Sequence, residues 1–290
     1  MARFKYAVNT NSLQGLSPPE VAALCARLGY DGIEWGLPAA DSLSKPIVQE
    51  MAKATSNEGL EVVGYINAGH LWKFDLMKRY SEIVASAEGR LLRVAHPWLA
   101  YNFDESLHQR DSFMDLFKQT REGLEALQPL GKEFGVRYVL EMHGASLTAS
   151  APACRYLMDG LDAESVGVIF DPANGIKEGF LRPRHATEVL GPYLAYVHAK
   201  NLIVFYAGKM LENPRRADWE SRVVPLECGM IDWVEVYFAL NCVGYEGWIS
   251  VEEFFREDRE SQLTRGLAFL KACEAAAPAG PEEPFTTFND

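Results

Sequence analysis

The sequence predicts an α/β protein with one domain, a (β/α)8 TIM barrel. Strand-like and helical runs alternate along most of the 290 residues, and counting gives eight strands, the number that closes a parallel barrel with helices outside. The first strand is followed by residues 9–15, which lack the G-x-G-x-x-G turn that usually follows the first strand of a doubly wound sheet. Four strands end in residue types that bind metal ions, and strand ends meet at one mouth of a barrel. A TIM barrel is therefore preferred to an open sheet.

The chain opens with a βαβ unit. Phe4 to Asn9 alternates as a strand, and a helix is predicted over Pro18 to Leu28. This helix begins after Ser17, because a proline in the first turn and Glu20 three residues after the serine are typical of a helix start. A glycine ends the helix, and Gly32 to Trp35 forms the second strand. The unit repeats, with helices over Lys45 to Glu58 and Lys73 to Ala87 and strands over Leu60 to Ile66 and Leu91 to Ala95.

The second half of the chain continues the alternation. The stretch Asp104 to Phe134 is predicted to be mostly helical, with a break near Pro129, because proline disrupts a helix interior. The remaining predicted elements are strands over Val136 to Glu141, Val166 to Phe170, Leu194 to Ala199 and Trp248 to Glu252, and helices around Ala151 to Gly160, Arg184 to Leu190, Ile231 to Cys242 and Arg259 to Ala277. The connection from Asn201 to Gly229 is predicted to be a long loop, and loops of this length are usually functional or disordered.

The predicted barrel occupies residues 1–277. Residues 278–290 form a tail rich in proline and glutamate, which we predict to be non-helical. We expect this tail to lie against a neighbouring surface.

Composition narrows the classes of partner. The formal net charge of −12 argues against nucleic acid and anionic membranes, since either favours a basic face. The chain shows no apolar signal segment and no run of about 18 apolar residues, so we expect a cytoplasmic protein without a membrane partner. Five cysteines without C-x-x-C spacing support neither a disulfide framework nor a structural zinc site. A small neutral substrate fits best, and whether the chain forms a homo-oligomer is left open.

Metal-ligand residue types stand at four predicted strand ends. Glu141 and His143 are two residues apart, so on a strand both side chains would enter one pocket. Three later strands end in Asp171, His198 and Glu252. Plainer interpretations are a buried Glu–His pair, a turn capped by Asp171 and a core histidine at position 198. Taken together, the four strand ends favour a metal site.

The residue types indicate which ion would bind. Two or three carboxylates with one imidazole form an oxygen-rich set that suits Mn²⁺ or Mg²⁺ better than a tetrahedral thiolate zinc site. We therefore predict one divalent cation, held by Glu141, Asp171, His198 and Glu252. Glu253 would point to the opposite face from Glu252, so only one of this pair can enter the mouth.

Five stretches carry a family resemblance over nearly the whole chain: Gly29 to Glu34, Leu140-Glu141, Phe170 to Asn174, Val197 to Asn201 and Gly247 to Glu252. Through them the chain resembles the xylose isomerase-like barrel superfamily of sugar phosphate isomerases and epimerases. That superfamily also includes inosose dehydratase, 3-dehydroshikimate dehydratase and the endonuclease IV group. The resemblance implies one divalent metal with Glu141, Asp171, His198 and Glu252 as ligands, Glu252 being preferred to Glu253. Substrate oxygens would complete the coordination.

The resemblance leaves two assignments of the acid–base residues. Epimerases of the group use the two ligand glutamates as a pair, which implies that role for Glu141 and Glu252. The Glu-x-His spacing that places His143 after Glu141 is closer to dehydratases and other β-eliminating members. A neutral imidazole beside a carbonyl can remove an α-proton near neutral pH.

The predicted function is proton abstraction α to a carbonyl of a sugar or polyhydroxy ketone. Reprotonation of the enediolate gives isomerisation or epimerisation, which we predict. Loss of a β-substituent instead gives a lyase, either a dehydratase or an enzyme that cleaves keto-glycosides. A non-catalytic sugar-binding barrel is a third alternative, against which His143 argues. Endonuclease chemistry is discounted, because it uses several zinc ions held by many histidines.

Six further residues at strand ends are candidates for contacts with the substrate: Lys200, His96, Trp98, His70, Glu34 and Asn174. Lys200 shares the strand face of His198 and would offer a cation to a substrate oxygen, or would reach solvent. The His-Pro-Trp and His-Leu-Trp runs offer imidazoles and apolar rings to a sugar-like face, or fill the barrel top. Glu34 and Asn174 would also hydrogen-bond to the metal ligands.

Overall fold

A computed structural model of the protein describes residues 4–95, 97–98, 112–176, 179, 181–207, 219–254 and 258–285. Within them, eight parallel strands form a closed barrel, a single-domain TIM barrel as predicted. The barrel strands are β1 (Lys5–Asn9), β2 (Gly32–Gly36), β3 (Glu61–Ile66), β4 (Leu91–Arg93), β5 (Arg137–Glu141), β6 (Val166–Phe170), β7 (Leu194–Ala199) and β10 (Trp248–Val251). The barrel closes where β1 pairs with β10, with Lys5 opposite Trp248 and Val8 opposite Val251.

Helices separate the strands and form the outer layer. They are α1 (Pro18–Leu28), α2 (Lys45–Asn57), α3 (Phe74–Ala85), α4 (Phe113–Phe134), α5 (Ala151–Met158), α6 (Pro172–Ile176), α7 (Pro183–Leu190), α8 (Trp233–Cys242) and α9 (Arg259–Ala276). The predicted cap of α1 is present, since Ser17 and Glu20 form a capping box. No helix of the described part of the chain is both long and apolar enough to cross a membrane.

The predicted helix break near Pro129 is wrong. Helix α4 continues through this residue to Phe134, and Pro129 lies on the exposed side of the helix. Leu127 and Leu130 are buried on either side of it. Packing of these side chains against the barrel therefore outweighs the loss of one helical hydrogen bond. The predicted start of this helix, Asp104, lies outside the described residues.

A β-hairpin replaces part of the predicted long loop. Strand β8 (Asn201–Tyr206) pairs antiparallel with β9 (Trp219–Val224). The Asn201 side chain anchors the base of this hairpin, since its Nδ2 donates to the Leu226 carbonyl at 2.7 Å and its Oδ1 accepts from the Ile231 amide at 2.9 Å. The prediction of a loop fails here because the two strands pair across a long connection, and that pairing is not visible in either strand alone.

The described part of the tail, residues 278–285, is non-helical and lies against the end of α8. The Phe285 amide donates to the Cys242 carbonyl at 3.0 Å, and Asn241 Nδ2 donates to the Pro278 carbonyl at 2.8 Å. The Arg184 guanidinium lies 4.5 Å from the centre of the Phe285 ring. The surface that receives the tail therefore belongs to the same barrel.

A small apolar cluster contains one inward-facing residue from several barrel strands. Its buried members are Ala7, Val63, Val139, Ile169 and Tyr196. Because alternate residues of a strand face the same way, the residue two positions further along points into the mouth above this layer. This places Glu141 above Val139, Asp171 above Ile169 and His198 above Tyr196.

Candidate metal centre

Four side chains meet at the mouth of the barrel. Glu141 ends β5, Asp171 follows β6, His198 lies in β7 and Glu252 follows β10. One ligand atom of each lies within 4.8 Å of the others, and all four residues are buried. Three carboxylates with one imidazole in such a space form a donor set that could hold a hard divalent cation.

His198 is oriented by a carboxylate on each side. Its Nε2 lies 2.9 Å from Glu34 Oε1, and its Nδ1 lies 3.2 Å from Glu141 Oε1. Glu34 is fully buried and also accepts hydrogen bonds from Tyr196 and Ser250. A carboxylate that accepts from one ring nitrogen fixes the imidazole so that the other nitrogen faces a metal. Glu34 therefore has the position predicted for a residue that supports a ligand.

The pKa values of Glu34 and His198 are shifted by their burial and by their contacts with each other and with neighbouring groups. Burial raises the pKa of Glu34, but the His198 imidazole and the hydroxyls of Ser250 and Tyr196 lower it overall. Burial lowers the pKa of His198, but Glu34, Glu141 and Glu252 together raise it well above its usual range. A proton on His198 and a metal ion would therefore compete for the same nitrogen.

Replacing Glu34 with glutamine is expected to weaken metal binding by about 10- to 100-fold, because His198 loses the carboxylate that orients its ring. Isothermal titration of the metal-stripped protein with Mn²⁺ measures this change. Lys5→Met is a matched control, because it removes an exposed ion pair with Glu61 on the same barrel. Equal affinities of Glu34→Gln and the parent protein would contradict the assignment.

Two amides hold the carboxylates in place. Asn174 Nδ2 donates to Asp171 Oδ2 at 2.8 Å and to Glu141 Oε1 at 3.2 Å. Asn9 Nδ2 donates to Glu252 Oε1 at 3.2 Å. The position of Asn174 agrees with its predicted contacts to ligands. Asn9 was not a predicted site residue, although a polar residue that ends the first strand is the same signal that identified the other strand ends.

Two buried cations complete the cluster. Lys200 Nζ lies 2.7 Å from Asp171 Oδ2 and 2.9 Å from Glu252 Oε2. Arg93, which ends β4, forms an ion pair with Glu141 Oε2 and donates to Asn67 Oδ1 at 2.9 Å. Lys200 thus enters the mouth as predicted from its strand face, but its partners in this structure are carboxylates. Arg93 was missed, because the predicted strand from Leu91 to Ala95 extends two residues past the observed end of β4, so Arg93 did not stand at a predicted strand end.

The charges around the cluster leave room for a divalent cation. Among the described residues it contains four carboxylates, those of Glu34, Glu141, Asp171 and Glu252, and two cations, Arg93 and Lys200. A metal ligand must be deprotonated, so with His198 neutral as a ligand the side-chain charges sum to −4 + 2 = −2. A buried charge of this size is costly unless it is compensated, and one divalent ion would compensate it. The donor set and the local charge therefore both fit such an ion.

His143 lies outside the four-residue cluster. It is half-buried, and its Nδ1 donates to the Gly144 carbonyl at 2.8 Å. Its ring and the indole of Trp98 form a T-shaped contact, with ring centres 4.8 Å apart and an angle of 80°. Trp98 is 42% exposed, so it offers an apolar surface at the mouth. These two predicted residues are therefore neighbours.

The histidine residues predicted as substrate contacts after β3 and β4 are His70 and His96. His70 stacks on Trp72 with ring centres 4.6 Å apart, and its Nδ1 has no hydrogen-bond partner among the described residues. Burial, with a contribution from Lys73, lowers the pKa of His70. His96, predicted as a substrate contact, lies outside the described residues.

Glu253 lies on the opposite side of the strand end from the cluster. Its Oε1 accepts from the Leu226 amide at 3.1 Å, whereas Oε2 is buried without a hydrogen-bond partner in the described structure. A Cβ on Gly266 of α9 would lie 3.4 Å from that oxygen, which places Glu253 against the helix layer. Burial raises the pKa of Glu253 to about 7. Glu252 therefore faces the mouth and Glu253 faces the helices.

Replacing Glu253 with glutamine is expected to stabilise the fold at pH 8 and to change stability little at pH 5. The native carboxyl binds its proton up to about pH 7, whereas the ordinary value is 4.5, so stability falls as the pH rises through this interval. At pH values above this interval, the variant should be more stable than the parent by about 3 kcal/mol, because it no longer buries a charged carboxylate. Urea unfolding at both pH values measures it, and metal content of the variant should equal that of the parent. An equal effect at pH 5 and pH 8 would contradict this account.

Comparisons with known proteins agree with the fold. A family model described as the xylose isomerase-like TIM barrel matches residues 22–273. Inosose dehydratase of Geobacillus kaustophilus (strain HTA426) is 26% identical over 141 residues, which make up 45% of this chain and 43% of that protein. The match thus spans less than half of the relative.

Two solved structures show the same fold over nearly the whole chain. 3-Keto-D-glucoside 4-epimerase from E. coli has a TM-score of 0.71 at 18% identity and covers 93% of this chain and 100% of its own. Mannonate dehydratase from Streptococcus suis serotype 2 has a TM-score of 0.72 at 13% identity and covers 99% of both chains. Proteins that share this barrel therefore include both epimerases and dehydratases.

Proposed function

The chain belongs to the xylose isomerase-like TIM barrel family, and from that membership we propose that it is a divalent-metal-dependent enzyme acting on a sugar or polyhydroxy ketone. It removes a proton α to the carbonyl and returns it to give an isomer or epimer. The observation that carries the proposal is the buried cluster of Glu141, Asp171, His198 and Glu252, with His143 two residues beyond Glu141.

These four residues would hold the ion, Mn²⁺ or Mg²⁺, which matches their oxygen-rich character. When bound, the ion supplies positive charge that polarises the substrate carbonyl. Glu34 holds the His198 ring, and Asn174 and Asn9 hold carboxylate oxygens, so the protein orders the site before substrate arrives. Lys200 would bind a substrate oxygen, as its place in the mouth allows. Trp98 would cover an apolar face of the sugar.

His143 is the proposed base. Its Nδ1 donates to a carbonyl, so in the neutral ring Nε2 carries the lone pair that accepts a proton. Glu141 is less suited to that task, because His198 and Asn174 contact its Oε1 and Arg93 contacts its Oε2. Burial raises the pKa of Glu141, but His198 and Arg93 hold it well below its usual range. Glu141 would thus stay ionised as a ligand, and His143, which then carries the abstracted proton, would return it to the intermediate.

A β-eliminating lyase is the second candidate function. It would use the same proton abstraction, and the neighbouring positions of His143 and Glu141 favour it, because this spacing is closer to the dehydratases of the family. In that case the carbanionic intermediate expels a β-substituent instead of regaining a proton. His143 would then protonate the leaving group.

One experiment tests both candidates. The Mn²⁺-loaded protein is incubated in D₂O with ketoses, keto-sugars and cyclic polyhydroxy ketones, and products are followed by NMR. Deuterium at an α-carbon of an isomerised or epimerised product supports the first function, whereas an unsaturated product or a released β-substituent supports the second. Asp171→Asn serves as the control without metal. Binding of a panel member with neither exchange nor product would indicate a non-catalytic sugar-binding barrel.

A further inference from the structure

The segment after β5 forms a closed network of hydrogen bonds. The His143 amide donates to the Thr148 carbonyl at 3.0 Å, so the chain returns to the strand end within six residues. Inside this loop lie the side chains of Ser146 and Thr148, of which Thr148 is fully buried and Ser146 is 3% exposed. The loop that carries the proposed base is therefore built around two buried hydroxyls.

Each hydroxyl binds the backbone of one functional residue. Thr148 Oγ1 donates to the Glu141 carbonyl at 2.7 Å, and Ser146 Oγ donates to the His143 carbonyl at 2.7 Å. The two oxygens lie 2.8 Å apart, and Ser146 Oγ also accepts from the Thr148 amide at 3.1 Å. Since each hydroxyl donates its one hydrogen to a carbonyl, the bond from the Thr148 amide to Ser146 Oγ joins the two, and together they form a short relay from Glu141 to His143.

The relay lies beside a residue with a strained backbone conformation. Ala145 has a φ of 63°, a left-handed conformation that costs free energy in a residue other than glycine. The contacts around it have to maintain that conformation, and the hydroxyls of Ser146 and Thr148 are such contacts. The turn at Ala145 also directs the Gly144 carbonyl, which accepts from His143 Nδ1. The relay therefore influences the direction of the imidazole.

The same loop is joined to the segment after β4. The Leu147 amide donates to the Pro97 carbonyl at 3.0 Å, and Ser146 pairs with Trp98 in an isolated antiparallel bridge. Trp98 in turn forms a T-shaped contact with the His143 ring. A shift of the loop would thus move both the imidazole and the indole beside it.

We propose that Ser146 and Thr148 are positioning residues that set the orientation of the His143 ring relative to Glu141. This inference rests on the proposed function, in which His143 exchanges a proton with a substrate held at the metal centre. Geometry of that kind matters, because a misplacement of about 1 Å can cost about 10²-fold in rate. Ser146 and Thr148 themselves need not touch the substrate.

The test compares four variants of the full chain with the parent, and a fifth, His143→Gln, serves only to assign the signals. Thr148→Val and Ser146→Ala each remove one hydroxyl, and Thr148→Ser restores the hydroxyl at position 148. Thr187→Val is the matched control, because Thr187 is also buried and its Oγ1 donates to the Ala239 carbonyl at 3.3 Å in the helix layer. Each protein is loaded with Mg²⁺ and compared by circular dichroism and metal content before further measurement.

The readout in the resting protein is the pair of ring ¹⁵N shifts of His143, assigned by their loss in His143→Gln. We expect the parent, Thr148→Ser and Thr187→Val to show one ring form with the proton on Nδ1. Thr148→Val and Ser146→Ala should show altered shifts with the metal still bound. Ring shifts in Ser146→Ala that match those of the parent would overturn the proposal. This outcome is decisive even if Thr148→Val does not fold.

Kinetics with an active substrate then distinguish the positioning role of Ser146 and Thr148 from the role of His143 as the base. Thr148→Val should lower kcat by about 10- to 100-fold with little change in KM, and Thr148→Ser should recover most of it. Altered ring shifts with an unchanged kcat would support the positioning role and contradict the assignment of His143 as the base. Unaltered shifts with a lowered kcat would overturn the positioning role and leave the proposed function intact.

Discussion

Removing the divalent ion with a chelator is expected to abolish turnover and to lower the thermal stability of the protein. Without the ion the buried cluster has more carboxylates than cations, and a ligand that binds only the native state stabilises it. Asp171→Asn should weaken metal binding by more than about 10²-fold. This effect is larger than the one expected for Glu34→Gln, because Glu34 contacts a ligand and not the metal. Asparagine keeps an oxygen that can accept from the Asn174 amide, so the local turn should survive.

Metal content by elemental analysis and Mn²⁺ titration measure this prediction. Glu253→Gln is the matched control, because it removes a buried carboxylate one residue from Glu252 but on the side of the helices. Glu252→Gln should lose the metal and Glu253→Gln should keep it. A protein that binds no divalent ion, or an Asp171→Asn variant with the affinity of the parent, would contradict the metal centre.

Replacing His143 with alanine is expected to lower turnover by about 10²- to 10⁴-fold while metal content and fold are retained. The loss is large because a positioned base is removed from the proton-transfer step. Metal binding should persist because the four-residue cluster does not include His143. In D₂O, the parent should introduce deuterium at the α-carbon of a substrate or product, and the variant should do so much more slowly.

His185→Ala is the control for this experiment, because it removes an exposed histidine of α7 that has no predicted role in the site. It should retain most of the turnover. A His143→Ala variant with the rate of the parent would instead assign proton transfer to Glu141 and Glu252. That result would favour a paired-glutamate epimerase over a β-eliminating lyase.

Much of the fold could be predicted from local patterns. Strands buried on both faces produce apolar runs, and the helices between them begin at recognisable caps such as Ser17 and Glu20. The four strand-end residues could be found because side-chain direction alternates along a strand, so Glu141 and His198 point with the apolar residues two positions before them. Those rules act within a few residues, which is why one sequence suffices for them.

Contacts between distant segments could not be predicted in this way. The ion pair of Arg93 with Glu141 joins two strands through a register that neither strand specifies. The hairpin of β8 and β9 depends on pairing across 12 residues between Tyr206 and Trp219. Helix α4 passes Pro129 because Leu127 and Leu130 are buried against the barrel.

The sequence by itself therefore determined the barrel, the face of each strand and the residue types at its mouth, because these follow from periodicity and local propensity. Only the tertiary structure decided how the charges combine. It placed Lys200 between Asp171 and Glu252, paired Arg93 with Glu141 and brought Asn9 to Glu252. The reason is physical: the ionisation of a buried group depends on which distant charges come within a few ångströms of it, and folding alone brings them there.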